Sequence, residues 1–302
     1  EIQVINDLGY DCVTLGNHEF DNGIEALAER LKLLEKTQVD PDSIEALYCA
    51  TTTPDYHFPS TASLVIGNVG LKNAFGYDME AACAGFLYAM EVGAAYIRSG
   101  RYHRIVVCGG DHMSSMTNYT DRNTCPIFGD GAAACLISTE GIAEIGACVL
   151  GTDGSGADHL IVKTGAARCK QATGNVIVDE DGHERFDDYL YMNGSAIFNF
   201  TLDAVPALMK QILEKNQIEK NDVDYYVFHQ ANKFMLNTIR KVCVLPKDKF
   251  YVNLEETGNT VSSTVMIGLK QNLDAAKITP GMKVMVTGFG VGLSWGGTIL
   301  KF

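Results

Sequence analysis

No stretch of this 302-residue chain approaches the roughly 18 uninterrupted apolar residues that a membrane-spanning helix requires, which argues against a transmembrane reading. The first residues also lack a basic segment followed by an apolar one, so no secretory leader is expected and the chain reads as cytoplasmic. Its nine cysteines include no C-x-x-C pair and no metal-type spacing. Several of them, such as Cys49, Cys108 and Cys135, stand inside apolar runs where a thiol behaves as a small hydrophobe. Free thiols are therefore expected, with no bound metal. Positive charge is scarce as well: 24 Lys and Arg against 37 Asp and Glu leave a net charge of -13, which repels nucleic acid and anionic membranes. What is present is a chain 46% hydrophobic and 20% charged, enough to bury one large core or two smaller ones, and unlike either a disordered or a fibrous sequence.

The chain repeats itself. Leu34-Glu35-Lys36-Thr37-Gln38-Val39 returns as Leu213-Glu214-Lys215-Asn216-Gln217-Ile218, an offset of 179 residues. The same offset of 179 sets Ile44 to Cys49 against Val223 to Phe228, and Ile105-Val106-Val107 against Val284-Met285-Val286. Two copies of one α/β half are the simplest cause. Each copy reads as a helix, a short polar loop, an apolar strand, a second helix and further strands, so layered α/β architecture is expected in duplicate. Residues Ile24 to Lys36 carry apolar side chains at helical spacing, with Asn22 and Glu25 resembling a capping box. Ala46 to Ala50 and Tyr225 to Phe228 are apolar on both faces, which predicts central strands covered by helices. The segment after Cys83 has hardly any polar face, and Val261 to Leu269 is similar, so both helices are expected to lie buried between layers. Thr152 to Asp188, rich in Gly and Asp, reads as the most loop-like part of the chain. The divisions expected are an atypical start over 1–30, a first half over 31–140 and a second over 141–302.

Three chemically capable residues fall at strand-to-helix junctions, where sites lie in layered α/β folds. They are Cys83 in Ala81-Ala82-Cys83-Ala84-Gly85-Phe86, His229 in Phe228-His229-Gln230-Ala231-Asn232, and Asn259 in Gly258-Asn259-Thr260. A thiol in the first turn of a buried helix feels that helix's positive end, which favours thiolate and nucleophilic work. Taken singly, Cys83 reads more readily as a core cysteine and Asn259 as a turn residue.

Together these strings resemble the β-ketoacyl-acyl carrier protein synthase III family over roughly Leu34 to Phe302. Thr51-Thr52-Thr53-Pro54-Asp55, Cys125 to Ala132 and the ending Gly288-Phe289-Gly290-Val291-Gly292-Leu293-Ser294-Trp295-Gly296 are similar to the family's pattern. The resemblance implies a thiolase-like five-layer αβαβα fold and acyl transfer from a thioester to Cys83. Decarboxylative condensation with a malonyl thioester would follow, as in the initiation of fatty acid synthesis. Backbone N–H groups of Cys83 and of the loop at Gly290 and Val291 would form the oxyanion hole, and His229 and Asn259 would donate hydrogen bonds to the malonyl thioester carbonyl. No cofactor is implied; acyl-CoA and malonyl carrier protein are the substrates. A homodimer is implied too, with Phe58 reaching a partner subunit's pocket. Cys-His-Asn favours the synthase III branch over elongating synthases, expected to carry a second His, and over thiolases, expected to carry a second Cys in the last Gly-rich loop. Phe128-Gly129-Asp130 reads as structural, because G-D-G mainly solves a backbone turn. An acidic carrier protein would need a local basic patch on this acidic chain, and Lys233, Arg240 and Lys241 supply one on the helix after His229, although Phe234 stands where the family usually has Arg.

The beginning departs from the pattern. No W-x-x-x-R-T-G-like string is present and Trp295 is the only Trp, so the resemblance does not extend to the Trp and Arg that clamp coenzyme A in the family. Gly16-Asn17-His18-Glu19 instead resembles the G-N-H-E block of metallophosphoesterases, but the upstream D-x-H and later His ligands of a dinuclear site are not found in order. Three other readings therefore stand beside the main one: a condensing enzyme of secondary metabolism, a metallophosphoesterase, and a non-catalytic partner subunit.

Overall fold

The computed structural model describes residues 3–4, 39–178 and 184–302. The helix expected over Ile24 to Lys36 and the G-N-H-E block at Gly16 to Glu19 lie outside the described residues. In chain order the strands are β1 (Gln3–Val4), β2 (Ala46–Ala50), β3 (Phe75–Met79), β4 (Arg104–Asp111), β5 (Gly131–Ser138), β6 (Ala143–Ile145) and β7 (Val149–Thr152). They continue with β8 (Leu160–Ile161), β9 (Val176–Val178), β10 (Glu184–Phe186), β11 (Tyr191–Met192), β12 (Tyr225–Phe228), β13 (Lys283–Gly290) and β14 (Ser294–Lys301). The helices are α1 (Thr61–Val69), α2 (Gly85–Arg98), α3 (Gly194–Asn216), α4 (Lys233–Val242) and α5 (Thr264–Asp274).

Strand alternation builds the layers. Ala46 and Tyr48 of β2 point to one core together with Ile105 and Val107, while Leu47 and Cys49 point to another with Val106 and Cys108. The second of these cores is closed by α1 through Ala62 and Val65. The first is shared: α2 and α5 lie in it between β2, β4 and β5 on one side and β12 and β13 on the other. Beyond the second sheet, α3 and α4 cover Tyr226, Phe228, Met285 and Ile299. The sequence of layers is thus helix, sheet, paired helices, sheet, helices, the five-layer αβαβα arrangement. Both middle helices are buried along most of their length, as their lack of a polar face predicts.

The repeat survives in the pairing. Ala46 sits opposite Ile105 in the parallel pair of β2 and β4, and Tyr225 sits opposite Val284 in the parallel pair of β12 and β13. Both positions keep the sequence offset, so the duplication is a duplication of register. One expectation is only half met. β2 lies between β3 and β4, but β12 pairs with β13 on one side and, on the other, meets only an isolated bridge from Tyr226 to Phe250. Its four residues are nonetheless all buried, because α3, α4 and α5 cover both faces. The expected division near residue 140 falls between β5 and β6, and β1 and β6 join the two halves' strands into one ten-stranded order. The stretch read as loop-like holds only short ribbons, β9 with β10 and β8 with β11. The eight cysteines among the described residues are free thiols.

Candidate active site

Cys83 occupies the middle of a short 3-10 turn, Ala82–Ala84, that runs directly into α2. The turn is strained: Ala82 has φ 44°, a left-handed value that L-residues seldom hold. That kink aims the sulfur at the β13–β14 corner. A Cβ on Gly290 would lie 2.8 Å from Cys83 Sγ, and one on Gly288 would lie 2.6 Å from Cys83 O, so both positions require glycine. The backbone N–H groups of Cys83 and Val291 converge on the sulfur.

The helix start does not make this thiol a resting thiolate. Burial, reinforced by the charge of Asp111, pushes Cys83 up to about 12 against the pull of those two N–H groups. A rise of that size from 9 corresponds to about 4 kcal/mol against the anion, whereas a helix terminus contributes at most about 2 kcal/mol. Desolvation wins, and the expectation of a lowered thiol pKa is corrected accordingly.

His229 follows β12 directly; its N–H donates to Thr287 O at 2.7 Å, which carries the ladder one residue past the strand. The ring is buried, stands edge-on to Phe289 with centroids 5.6 Å apart, and has Nδ1 2.6 Å from Thr264 Oγ1. Burial pushes its pKa down to about 3, so the imidazole is neutral at physiological pH. Asn259 is held by the backbone on both sides. Its N–H donates to Ile127 O at 2.8 Å and its carbonyl accepts from Gly129 N at 3.0 Å. The Phe128-Gly129-Asp130 string is therefore a clamp on Asn259. Gly129 has to be small, since a Cβ there would lie 2.2 Å from Thr257 O, and Asp130 fastens the string by accepting from Ser114 N at 2.8 Å. Asn259 Oδ1 accepts from Val261 N at 2.9 Å, which leaves the two Nδ2 hydrogens as donors for a ligand.

Cys83, His229, Asn259, Gly290 and Val291 all line one cavity of about 1020 Å³. Its wider wall is largely apolar, including Met113, Leu160, Leu190, Met192 and Ile197. The sequence reading overlooked Asp111, which lines this cavity, and its hydrogen-bond partner Ser262. The Asp111 carboxylate is buried and accepts four hydrogen bonds, from Thr52 N and Oγ1 at 2.7 Å each, and from Ser262 N at 3.2 Å and Oγ at 2.6 Å. Burial raises its pKa, opposed by these donors. The repeat could have found Ser262, because it stands 179 residues after Cys83.

The residues singled out for docking sit outside the cavity on α4, whose first turn is capped by Asn232 accepting from Met235 N at 2.8 Å. Lys233 is ion-paired with Glu255 at 2.8 Å, Arg240 donates to Leu245 O at 3.2 Å, and Lys241 is exposed. Phe234 is 72% exposed and stacks on Phe198 at 5.4 Å.

Two family models match the chain: 3-oxoacyl-[acyl-carrier-protein] synthase III over residues 77–154, and its C-terminal part over residues 213–302. The β-ketoacyl-[acyl-carrier-protein] synthase III 2 of Bacteroides thetaiotaomicron is 42% identical over 90% of this chain and 78% of its own length. This chain belongs to the synthase III family. The synthase III of Porphyromonas gingivalis is 39% identical over 89% of this chain and 78% of its own length. A crystal structure of a 3-oxoacyl-(acyl-carrier-protein) synthase III superposes with a TM-score of 0.88 at 32% identity, covering 95% of this chain and 86% of that one. The priming β-ketosynthase of the R1128 polyketide pathway superposes with a TM-score of 0.79 at 26% identity, over 95% of this chain and 83% of that one. The chain is thus a condensing acyltransferase of the kind that begins fatty acid synthesis by a decarboxylative Claisen reaction. These matches give no support to the phosphoesterase resemblance of Gly16 to Glu19. Among the described residues, no helix is long and apolar enough to cross a membrane.

Proposed function

We propose that Cys83 carries the acyl group and that His229 and Asn259 generate the carbon nucleophile that attacks it. The observation that carries this reading is the convergence of all three side chains on one cavity, with the Val291 N–H against the sulfur. In the first half-reaction the thiol adds to the carbonyl of an acyl thioester, and the N–H groups of Cys83 and Val291 hold the oxyanion. The new S–C bond forms, the old one breaks, and the thiol proton leaves with the departing thiol. In the second, the malonyl thioester loses carbon dioxide, and the electron pair moves onto a carbonyl oxygen held by His229 and Asn259. Neutral donors suit this step, since they stabilise the enolate without protonating the carbon that must attack. That carbon adds to the acyl carbonyl on Cys83, a C–C bond forms, the C–S bond breaks, and the sulfur takes up a proton from solvent to restore the thiol.

The partners proposed are acyl-CoA or another acyl thioester and an acyl carrier protein, which several family names include. Docking on α4 draws on Lys233 and Lys241, with Glu255 offsetting part of the charge and Arg240 committed to its own loop. A homodimer is supported by Phe58, 85% exposed, and Tyr56, 61% exposed, beside β3, which pairs only with β2 among the described strands. The free thiols favour a cytoplasmic setting. Likeness to a polyketide priming enzyme keeps secondary metabolism as the second reading for the same chemistry.

The test is a two-stage incubation. Enzyme loaded from a panel of acyl thioesters should gain one acyl mass, then release it with carbon dioxide when malonyl carrier protein is added. An acyl group that stays bound, with no carbon dioxide evolved, would overturn the reading.

A further inference from the structure

We infer that Thr264 is a positioning residue that holds neutral His229 as its Nε2–H tautomer, turning the ring into a donor toward the cavity. The inference rests on the donor role proposed above for His229.

Thr264 is the first residue of α5 and is 2% exposed, behind the ring and away from the cavity wall. Its Oγ1 lies 2.6 Å from His229 Nδ1 and 3.1 Å from Val261 O. One hydroxyl proton can serve only one of these acceptors. Were the ring to carry its proton on Nδ1 and donate to Oγ1, the hydroxyl would be left to donate to Val261 O. An N–H donor bond at 2.6 Å would be shorter than the usual 2.7–3.2 Å, and an O–H donor bond at 3.1 Å longer than the usual 2.5–3.0 Å. With the hydroxyl donating to Nδ1 instead, the 2.6 Å contact is an ordinary O–H donor bond and the ring proton stands on Nε2.

The opposing influence is the Val261 backbone, whose hydrogen bond to the ring favours a proton on it, and whose carbonyl stands 3.1 Å from Thr264 Oγ1. A carbonyl can only accept, so removing the hydroxyl should hand Nδ1 to Val261 O. The lone pair would then face the malonyl carbonyl at the point where a donor is required. Because burial keeps the imidazole neutral, the choice between tautomers decides whether His229 donates toward the cavity or away from it.

Long-range proton–nitrogen NMR correlations on enzyme labelled with ¹⁵N-histidine read the tautomer directly, the His229 signals being assigned by their loss in His229→Gln. The wild type should show the proton on Nε2, and Thr264→Val, which keeps the shape, should move it to Nδ1. The same variant should slow malonyl decarboxylation between about 10- and 100-fold, as for loss of a partner orienting a functional histidine, while acylation of Cys83 is unchanged. Thr264→Ser should restore both the rate and the Nε2–H signal. A wild-type ring protonated on Nδ1, or wild-type decarboxylation in Thr264→Val, would overturn the assignment. Decarboxylation retained in His229→Ala, with the wild-type ring still protonated on Nε2, would sink the donor role alone and leave the tautomer assignment standing.

Discussion

In the first half Ala82, at φ 44°, leads the chain into Cys83 and α2; at the same point of the second half Val261, at φ 54°, leads it into Ser262 and α5. Each turn packs on an equivalent glycine. Gly288 closes on Cys83 O, and its counterpart Gly109 would bring a Cβ within 2.8 Å of Ser262 Oγ. What lies opposite differs. Gly290 faces the sulfur and leaves space beside the N–H of Val291, whereas its counterpart, Asp111, fills the equivalent corner with a carboxylate bound to Ser262 and Thr52. Likewise His229 stands where the first half has Ala50. On the proposed reading, one strained corner, inherited twice, serves as a reaction centre where it is left open and supplied with donors, and as a fastening between halves where it is closed.

The largest effects should come from removing the donors unique to one corner. His229→Ala and Asn259→Ala should each slow malonyl decarboxylation by about 10²- to 10³-fold, the range for loss of one oxyanion donor, while leaving Cys83 acylation intact. Separate assays of the two half-reactions check this, and equal loss of both would show that the corner acts as one unit. Closing the open corner is the complementary test. Gly290→Ala should cut acylation by on the order of 10²-fold, again the range for a disturbed oxyanion site, beyond whatever overpacking costs in stability. Gly109→Ala should act on the other corner as overpacking, lowering stability by about 1–3 kcal/mol in denaturant unfolding.

Much of this was legible in advance, and the limits have physical causes. The offset of 179 residues predicted the duplicated layers, because strand register is set by apolar pattern and that pattern is local. Cys83, His229 and Asn259 could be named because strand-to-helix junctions and their motifs lie in short contiguous strings. Thr264 and Asp111 could not, because their roles depend on contacts between distant segments: Asp111 meets Ser262 across 151 residues of chain, and Thr264 meets His229 across 35. The thiol pKa was misjudged for the same reason. A helix start is visible in a string, but the depth of burial that outweighs it belongs to the assembled layers.

Smaller effects sharpen the comparison. Ser262→Ala should retain acylation but lower stability by about 1–3 kcal/mol, the cost of a buried partner left short of a donor, as measured by chemical unfolding. Acid should separate the halves too. His229 is neutral in the fold with its pKa pushed to about 3, against about 6.5 unfolded, so the unfolded chain binds more protons between those values and stability falls with pH across them. As the pH is lowered from 7 to 5, with the folded ring still neutral, the wild type should lose about 2 kcal/mol more than His229→Gln, a difference absent if the ring titrates normally. Least of all, Lys233→Glu with Lys241→Glu should raise the KM for malonyl carrier protein a few-fold at low salt, the difference shrinking as salt is added. Acylation by a small thioester should be unaffected.

Intact mass spectrometry after incubation with an acyl thioester tests most directly which corner does the chemistry. The wild type and Ser262→Ala should each gain one acyl group, and Cys83→Ala none; an acyl group retained by Cys83→Ala would contradict the account.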